Sequence, residues 1–352
     1  MSGLERWLLE RQRERDGRGR RRPKEPRREV TTWREEELLD GRVVDALVAI
    51  LETRGCSHER GTGGCTMCGY AGDTPLRAPT EEELLAQVEH VASTRGDARW
   101  VKLYTSGSML DPGEVPPRVL EALVDAFGDA GMLTVESRAE HVTRQRVEAL
   151  GDTSRREVAI GLESACDGVL AASVHKGMTL EAFEEAAAHV KGAGARLRAY
   201  VLLKPPFLTE AEAVEDAVEA ALAAAEAGAD VVSLNPVSVH GDTLVDFLHY
   251  RGEYEPPWLW SVVHVLERVT RELPGGVRIV SAPTAGGKAR GAHNCGRCDK
   301  DVLTAIEFFR LSGDPEELEA VPGCDCRARW SAQLDLEGYQ QGPFSPGDYR
   351  RG

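Results

Sequence analysis

The chain is poor in lysine: of 43 basic residues in 352, seven are Lys and 36 are Arg. Scarce Lys with a formal net charge of −15 resembles the composition of salt-loving archaeal proteins. An acidic surface of that kind is an adaptation to salt and says little about partners. No stretch reaches the ~18–20 apolar residues that span a bilayer, and the N-terminus has no apolar signal core. A cytoplasmic location is therefore expected, with no membrane partner. Residues 1–55 contain no cysteine. In a reducing compartment the eight cysteines that follow read as metal ligands rather than disulfides. Hydrophobic residues make up 41% of the chain, enough for a sizeable core. The length fits one large α/β domain with appendages, or two domains.

The charge is uneven. Residues 1–30 carry a net +5, and the remainder −20. This basic segment, with Arg18, Arg20, Arg21 and Arg22, reads as a disordered, solvated arm. The alternative is an arm that binds the phosphates of nucleic acid.

Short apolar runs alternate with helical patterns from residue 43 onward. Val43–Glu52 runs into a cysteine loop. Strands are predicted at Trp100–Tyr104, Met132–Glu136, Val158–Glu163, Arg196–Leu203 and Asp230–Asn235, with one more at Val277–Ser281. Helices are predicted at Thr80–Ser93, Pro116–Ala130, Thr143–Leu150, Thr179–Gly192 and Glu210–Ala227. Thr80 caps its helix, Pro116 opens the next, and Gly192 closes the fourth. About six β–α units imply parallel strands with right-handed crossovers. Both a partial barrel and a doubly wound sheet fit that pattern. The strand ends favour the barrel, whose active face lies there. Ser106-Gly107-Ser108, Glu136, Arg138, Glu163, Ser164, Lys204 and Asn235 each follow or end a strand.

Cys56, Cys65 and Cys68 are spaced C-x8-C-x2-C on a Gly-rich loop. Three thiolates can hold three irons of a four-iron cluster and leave the fourth iron open to a small molecule. A zinc site is the alternative, with His58 as a fourth ligand. Cys295, Cys298, Cys324 and Cys326 form a second group, C-x2-C-x25-C-x-C. Two close thiolate pairs suit a closed tetrahedral zinc, with a second iron–sulfur cluster as the alternative and His293 able to replace one thiolate. Arg327, Arg329 and Trp330 beside it are candidate RNA contacts. Tyr250, Tyr254, Trp258 and Trp260 could stack on nucleotides, or pack a barrel-closing helix. Cys166 stands alone and reads as a small buried hydrophobe.

The cysteine loop, the β–α units and the strand-end residues together resemble the radical S-adenosylmethionine (SAM) superfamily. Its usual spacing is C-x3-C-x2-C, and the wider gap here is similar to the Elp3-like branch. Thr53–Cys56, Gly63–Tyr70, Val135–Arg138, Gly161–Ser164, Lys204–Glu210 and Gly291–Asp299 resemble the RaSEA family, the radical SAM proteins of archaeosine biosynthesis. The likeness covers roughly residues 30–330.

The resemblance implies an α/β fold: a partial (β/α)6 TIM-type barrel of the radical SAM type over 31–275, and a small C-terminal metal-bound module over 276–352. It implies a [4Fe–4S] cluster on Cys56, Cys65 and Cys68 and SAM as cofactor, while Zn2+ at the second group rests on the spacing of its thiolates. Met67 sits where such loops place a hydrophobe before the last cysteine. Ser106, Gly107, Ser108, Glu136, Arg138, Glu163, Lys204 and Asn235 are the implied SAM-binding set. For Glu136 with Arg138, and for Glu163 and Lys204, ion pairing is the alternative. The implied reaction is a C–N lyase step on the lysine part of a lysine-modified deazaguanine in the tRNA D-loop, giving archaeosine. The implied partners are tRNA and the lysine-transferring archaeosine synthase subunit. Two other readings fit less well. One is a different radical SAM tRNA modifier, Elp3-like or methylthiotransferase-like. The other is a non-enzymatic zinc-bound RNA-binding protein.

Overall fold

Asp40 and Gly41 both adopt positive φ, 51° and 75°, and turn the chain back on itself in two residues. Left-handed conformation at both positions is what a tight hairpin requires, and Asp-Gly supplies it. The computed structural model describes residues 2–18, 25–75 and 77–338. In chain order its helices are α1 Gly3–Arg18, α2 Ser57–Thr62, α3 Glu81–Thr94, α4 Pro117–Phe127, α5 Arg144–Glu148, α6 Asp167–Val169, α7 Leu180–Gly192, α8 Glu210–Glu226, α9 Leu244–Tyr250, α10 Leu259–Glu272, α11 Asp299–Ser312, α12 Glu316–Glu319 and α13 Cys326–Glu337. The strands are β1 Thr31–Leu39, β2 Arg42–Ile50, β3 Trp100–Tyr104, β4 Met132–Ser137, β5 Arg156–Glu163, β6 Arg196–Leu203, β7 Val231–Pro236 and β8 Arg278–Ser281.

The eight strands form one sheet in chain order. β1 pairs antiparallel with β2, while β2 through β5 pair in parallel, as do β7 and β8. This mixed sheet with alternating helices is the partial barrel expected from the sequence. The hairpin strand β1 is an addition to the predicted β–α series. Capping fixes the helix starts. Thr80 and Glu83 form a reciprocal capping box at α3, and Thr209 and Glu212 do the same at α8.

Two compact units divide the chain. One comprises residues 1–64, 68–161 and 182–198; the other comprises 65–67, 162–181 and 199–352. In the first, Leu39, Ala46, Trp100 and Met132 pack together where the hairpin meets β3 and β4. In the second, Val237, Val239, Val245 and Tyr254 pack together with Met67 against them.

The basic arm departs from expectation. Gly3–Arg18 is a helix with Leu8 buried, rather than a disordered tail. Leu4, Trp7 and Leu8 recur at i, i+3 and i+4, one helical face that the surrounding charge obscures. Arg20, Arg21 and Arg22 lie outside the described residues.

Candidate active site and metal centre

In the first unit, the backbone around Cys56 is built by its neighbours. Cys56 precedes α2, which fills most of the eight-residue cysteine gap, and Gly63 ends α2 in left-handed conformation. A Cβ on Gly63 would lie 2.7 Å from the Leu8 backbone, so α1 packs directly on the end of α2. Gln12 Nε2 donates to the Glu59 carbonyl and carboxylate at 3.1 Å each, and Arg15 pairs with the same carboxylate. The widened gap thus makes a short helix that docks on α1.

The loop after β3 presses on the same place. A Cβ on Gly107 would stand 2.8 Å from Cys56 Cα and 2.2 Å from Glu114 Oε2, so only glycine fits. Glu114 is 3% exposed. Its carboxylate accepts from Thr53 Oγ1 at 2.5 Å and from the Ser108 amide at 2.7 Å. Burial raises its pKa against the opposing pull of those hydrogen bonds. The Ser108 hydroxyl accepts from the Arg138 amide at 3.1 Å, and Met109 N–H donates to the Glu136 carbonyl at 2.9 Å. Thr53, Cys56, Gly107, Ser108, Glu114 and the backbone of Glu136 and Arg138 are therefore joined by one hydrogen-bonded and packed set. The Arg138 side chain is buried and pairs with Glu140 at 2.5 Å.

In the second unit, the Cys65–Met67 segment is anchored at Thr66. Its N–H donates to the Val174 carbonyl at 3.0 Å, its hydroxyl to the Ser173 carbonyl at 2.7 Å, and its carbonyl accepts from Leu244 N–H at 3.0 Å. Glu163 and Lys204 end β5 and follow β6 with positive φ, 71° and 61°. Such conformations cost about 1–3 kcal/mol for a non-glycine residue and cluster at functional sites. Each is held by an ion pair: Glu163 to Lys176 at 2.7 Å and Lys204 to Glu210 at 2.7 Å. Asn235 is half-buried near the end of β7.

Among the described residues, one thiol group is close enough to hold a metal ion. The Cys295, Cys298, Cys324 and Cys326 sulfurs all lie within 4.8 Å of one another. Cys298 is raised to about 12 by burial, and burial raises Cys326 too; Cys295, taking the Arg297 backbone hydrogen bond, is lowered to about 6. His293 Nδ1 instead faces the Gly291 carbonyl at 2.9 Å, so four thiols make the set without it. No cysteine is disulfide-bonded among the described residues.

Several RNA-contact candidates are placed otherwise. Tyr254, Trp260 and Trp330 are buried, at 5%, 1% and 7% exposure, and cannot stack on an incoming base. Arg327 and Arg329 remain exposed and lie over Trp260 and Trp258, at 5.1 and 6.0 Å. Tyr250 is 91% exposed.

No protein-family model matches the chain. It is 33% identical over 321 residues to archaeosine synthase subunit beta of Methanosarcina acetivorans, covering 89% of this chain and 92% of that protein. It is 37% identical over 313 residues to archaeosine synthase subunit beta of Thermococcus kodakarensis, covering 86% and 95%. The chain belongs to this family. That placement agrees with the sequence resemblance to RaSEA and the radical SAM superfamily. Among solved structures, archaeal Methanocaldococcus infernus Elp3 with an N-terminal deletion aligns with TM-score 0.49 and 14% identity, over 75% of this chain and 63% of that one.

Thiols outside any disulfide are donors of the kind an iron–sulfur cluster takes. Cys56, Cys65 and Cys68 are partly exposed soft donors outside any disulfide, and Cys56 is held by a glycine cradle. Sequence reasoning missed Glu114, Glu210 and α1. Glu210 was within reach, since it closes the same Lys204–Glu210 segment that Lys204 opens. Glu114 has no signal beyond a turn-forming Asp-Pro-Gly before it.

Proposed function

We propose that this chain is the radical SAM subunit of archaeosine synthase, a C–N lyase acting on the lysine part of a lysine-modified deazaguanine in tRNA. The observation that carries the reading is 33–37% identity, over most of the chain, to two proteins named archaeosine synthase subunit beta. The three-cysteine loop and the residues gathered around Cys56 supply the chemistry such a subunit needs. The barrel would comprise residues 31–275 and the C-terminal module 276–352.

Cys56, Cys65 and Cys68 would hold a [4Fe–4S] cluster. Bound there, a cluster would supply the electron for reductive SAM chemistry on the lysine part of the substrate. The protein's own residues bind and orient. Ser106, Gly107 and Ser108 would contribute to binding the SAM amino group. Glu136, Arg138, Glu163, Lys204 and Asn235, at or just after strand ends, would bind the rest of the cofactor, and Met67 would contribute an apolar contact. Water exclusion by the buried strand ends keeps a reactive carbon from side reactions. Cys295, Cys298, Cys324 and Cys326 would hold Zn2+, because a closed four-thiolate set suits it. The partners would be tRNA and the subunit that attaches lysine.

Anaerobic purification tests the reading. Brown protein with iron bound at Cys56, Cys65 and Cys68, lost in Cys65→Ala, is expected. Colourless protein holding zinc at both groups would refute it.

A further inference from the structure

We propose that the four-thiolate site is a positioning device for Lys204, acting through helix α13. This inference rests on the reading that the thiolates hold a metal. It concerns what that metal does for a residue elsewhere in the same unit.

The connection is continuous. Cys326 is both a member of the thiol group and the first residue of α13. Its sulfur accepts from Trp260 Nε1 at 3.2 Å, and the Trp260 amide donates to Asn294 Oδ1 at 3.2 Å. Asn294 Nδ2 returns to the Cys298 sulfur at 3.5 Å. One turn along α13, Trp330 Nε1 donates to Ser261 Oγ at 2.8 Å. Ser261 Oγ donates to Glu210 Oε1 at 2.5 Å, and the Trp258 amide donates to the same oxygen at 2.9 Å. Glu210 Oε2 then faces Lys204 Nζ at 2.7 Å. Glu210 and Ser261 are both 0% exposed.

Two further contacts fasten α13 to the same corner. Trp258 Nε1 donates to Gln333 Oε1 at 3.0 Å, and the Ala211 amide donates to Glu337 Oε2 at 3.0 Å. On the far side, Tyr254 OH donates to the Lys204 carbonyl at 2.8 Å.

Physical chemistry gives this chain a purpose. A buried ion pair survives only when its geometry is good and extra hydrogen bonds satisfy the carboxylate. Glu210 takes those bonds from Trp258 and Ser261, and Ser261 is itself held by Trp330. Lys204 also sits at φ 61°, a conformation that persists only where its surroundings over-determine it. A metal shared by the 295–298 and 324–326 segments fixes the start of α13, because a four-thiolate site supplies folding energy directly. Without it, four close thiols have no reason to stay together, and the Trp330–Ser261–Glu210 series loses its anchor. The ammonium at the end of β6 would then swing free.

The test uses the full-length, anaerobically purified protein and acetylation of lysines read by mass spectrometry. Lys176, paired to Glu163 in the same unit, is the internal reference. Metal analysis comes first: protein with no metal at the four thiolates overturns both the metal reading and this inference. With metal present, chelation or Cys324→Ser should raise Lys204 acetylation about tenfold or more, because the ammonium would lose its buried ion-pair partner. Lys176 should stay unchanged. Ser261→Ala and Trp330→Phe should raise Lys204 acetylation with metal content intact. Lys204 unaffected by metal loss, both lysines rising together, or no effect of Ser261→Ala would each overturn the inference while leaving the metal reading standing.

Discussion

Glu114 is a buried carboxylate that accepts from Thr53 Oγ1 and the Ser108 amide. Glu114→Gln places an amide NH2 against one of those donors. It should destabilise the protein by about 1–3 kcal/mol, measured by chemical denaturation. The pH dependence has a definite sign. Burial lifts the folded carboxyl above its 4.5 value, so the folded state holds the proton more tightly. That contribution to stability is full below about 4.5 and declines as pH rises toward the folded value, and the glutamine variant should lack it. Gly107→Ala should block cluster incorporation, read as iron content after reconstitution. A normal iron content would show that the Cys56 cradle is not needed. At the second thiol group, Cys298 and Cys326 are raised, so their protons must leave when metal binds. Metal affinity should therefore climb with pH between 6 and 8, and titration calorimetry in two buffers should detect the released protons. Affinity that stays flat would mean the thiols are already ionised.

At the scale of elements, most of the helix and strand series was legible. Periodicity and end signals placed β3 and β6 on their observed bounds, and Thr80, Thr143 and Thr209 cap the helices that follow them. The hairpin strand β1 was not read, although Asp40-Gly41 is a hairpin signal, because Glu35, Glu36 and Glu37 break the apolar alternation. Glu35 and Glu37 in fact bind Lys102 inside the unit, a tertiary pairing no local pattern contains. The N-terminal helix was obscured for the same reason: its apolar face is three residues wide among Arg and Glu. Its docking on α2 has a direct test. Gly63→Ala would drive a Cβ into the Leu8 backbone from a left-handed position. It should detach α1, seen as faster tryptic cleavage at Arg11 and Arg13, and should speed cluster loss to a chelator. Unchanged cleavage would mean that α1 does not depend on this contact.

For the whole molecule, the site was legible as residue types at strand ends but not as partners. Glu163 and Lys204 were placed correctly as strand-end charges, yet the residues that hold them, Lys176 and Glu210, come from sequence-distant turns and helix starts. Charge adds a further expectation. With a net −15, self-repulsion opposes the compact state and is screened by salt. The melting temperature should rise on going from low salt to molar KCl, and a fall would argue against the salt-adaptation reading of the composition. Reconstituted protein is incubated anaerobically with SAM, a reductant and tRNA carrying the lysine-modified deazaguanine. The expected products are 5′-deoxyadenosine and the formamidine base of archaeosine, both abolished by Cys65→Ala. Reductive SAM cleavage that persists in Cys65→Ala, or tRNA returned unaltered while SAM is consumed, would contradict the proposed reaction.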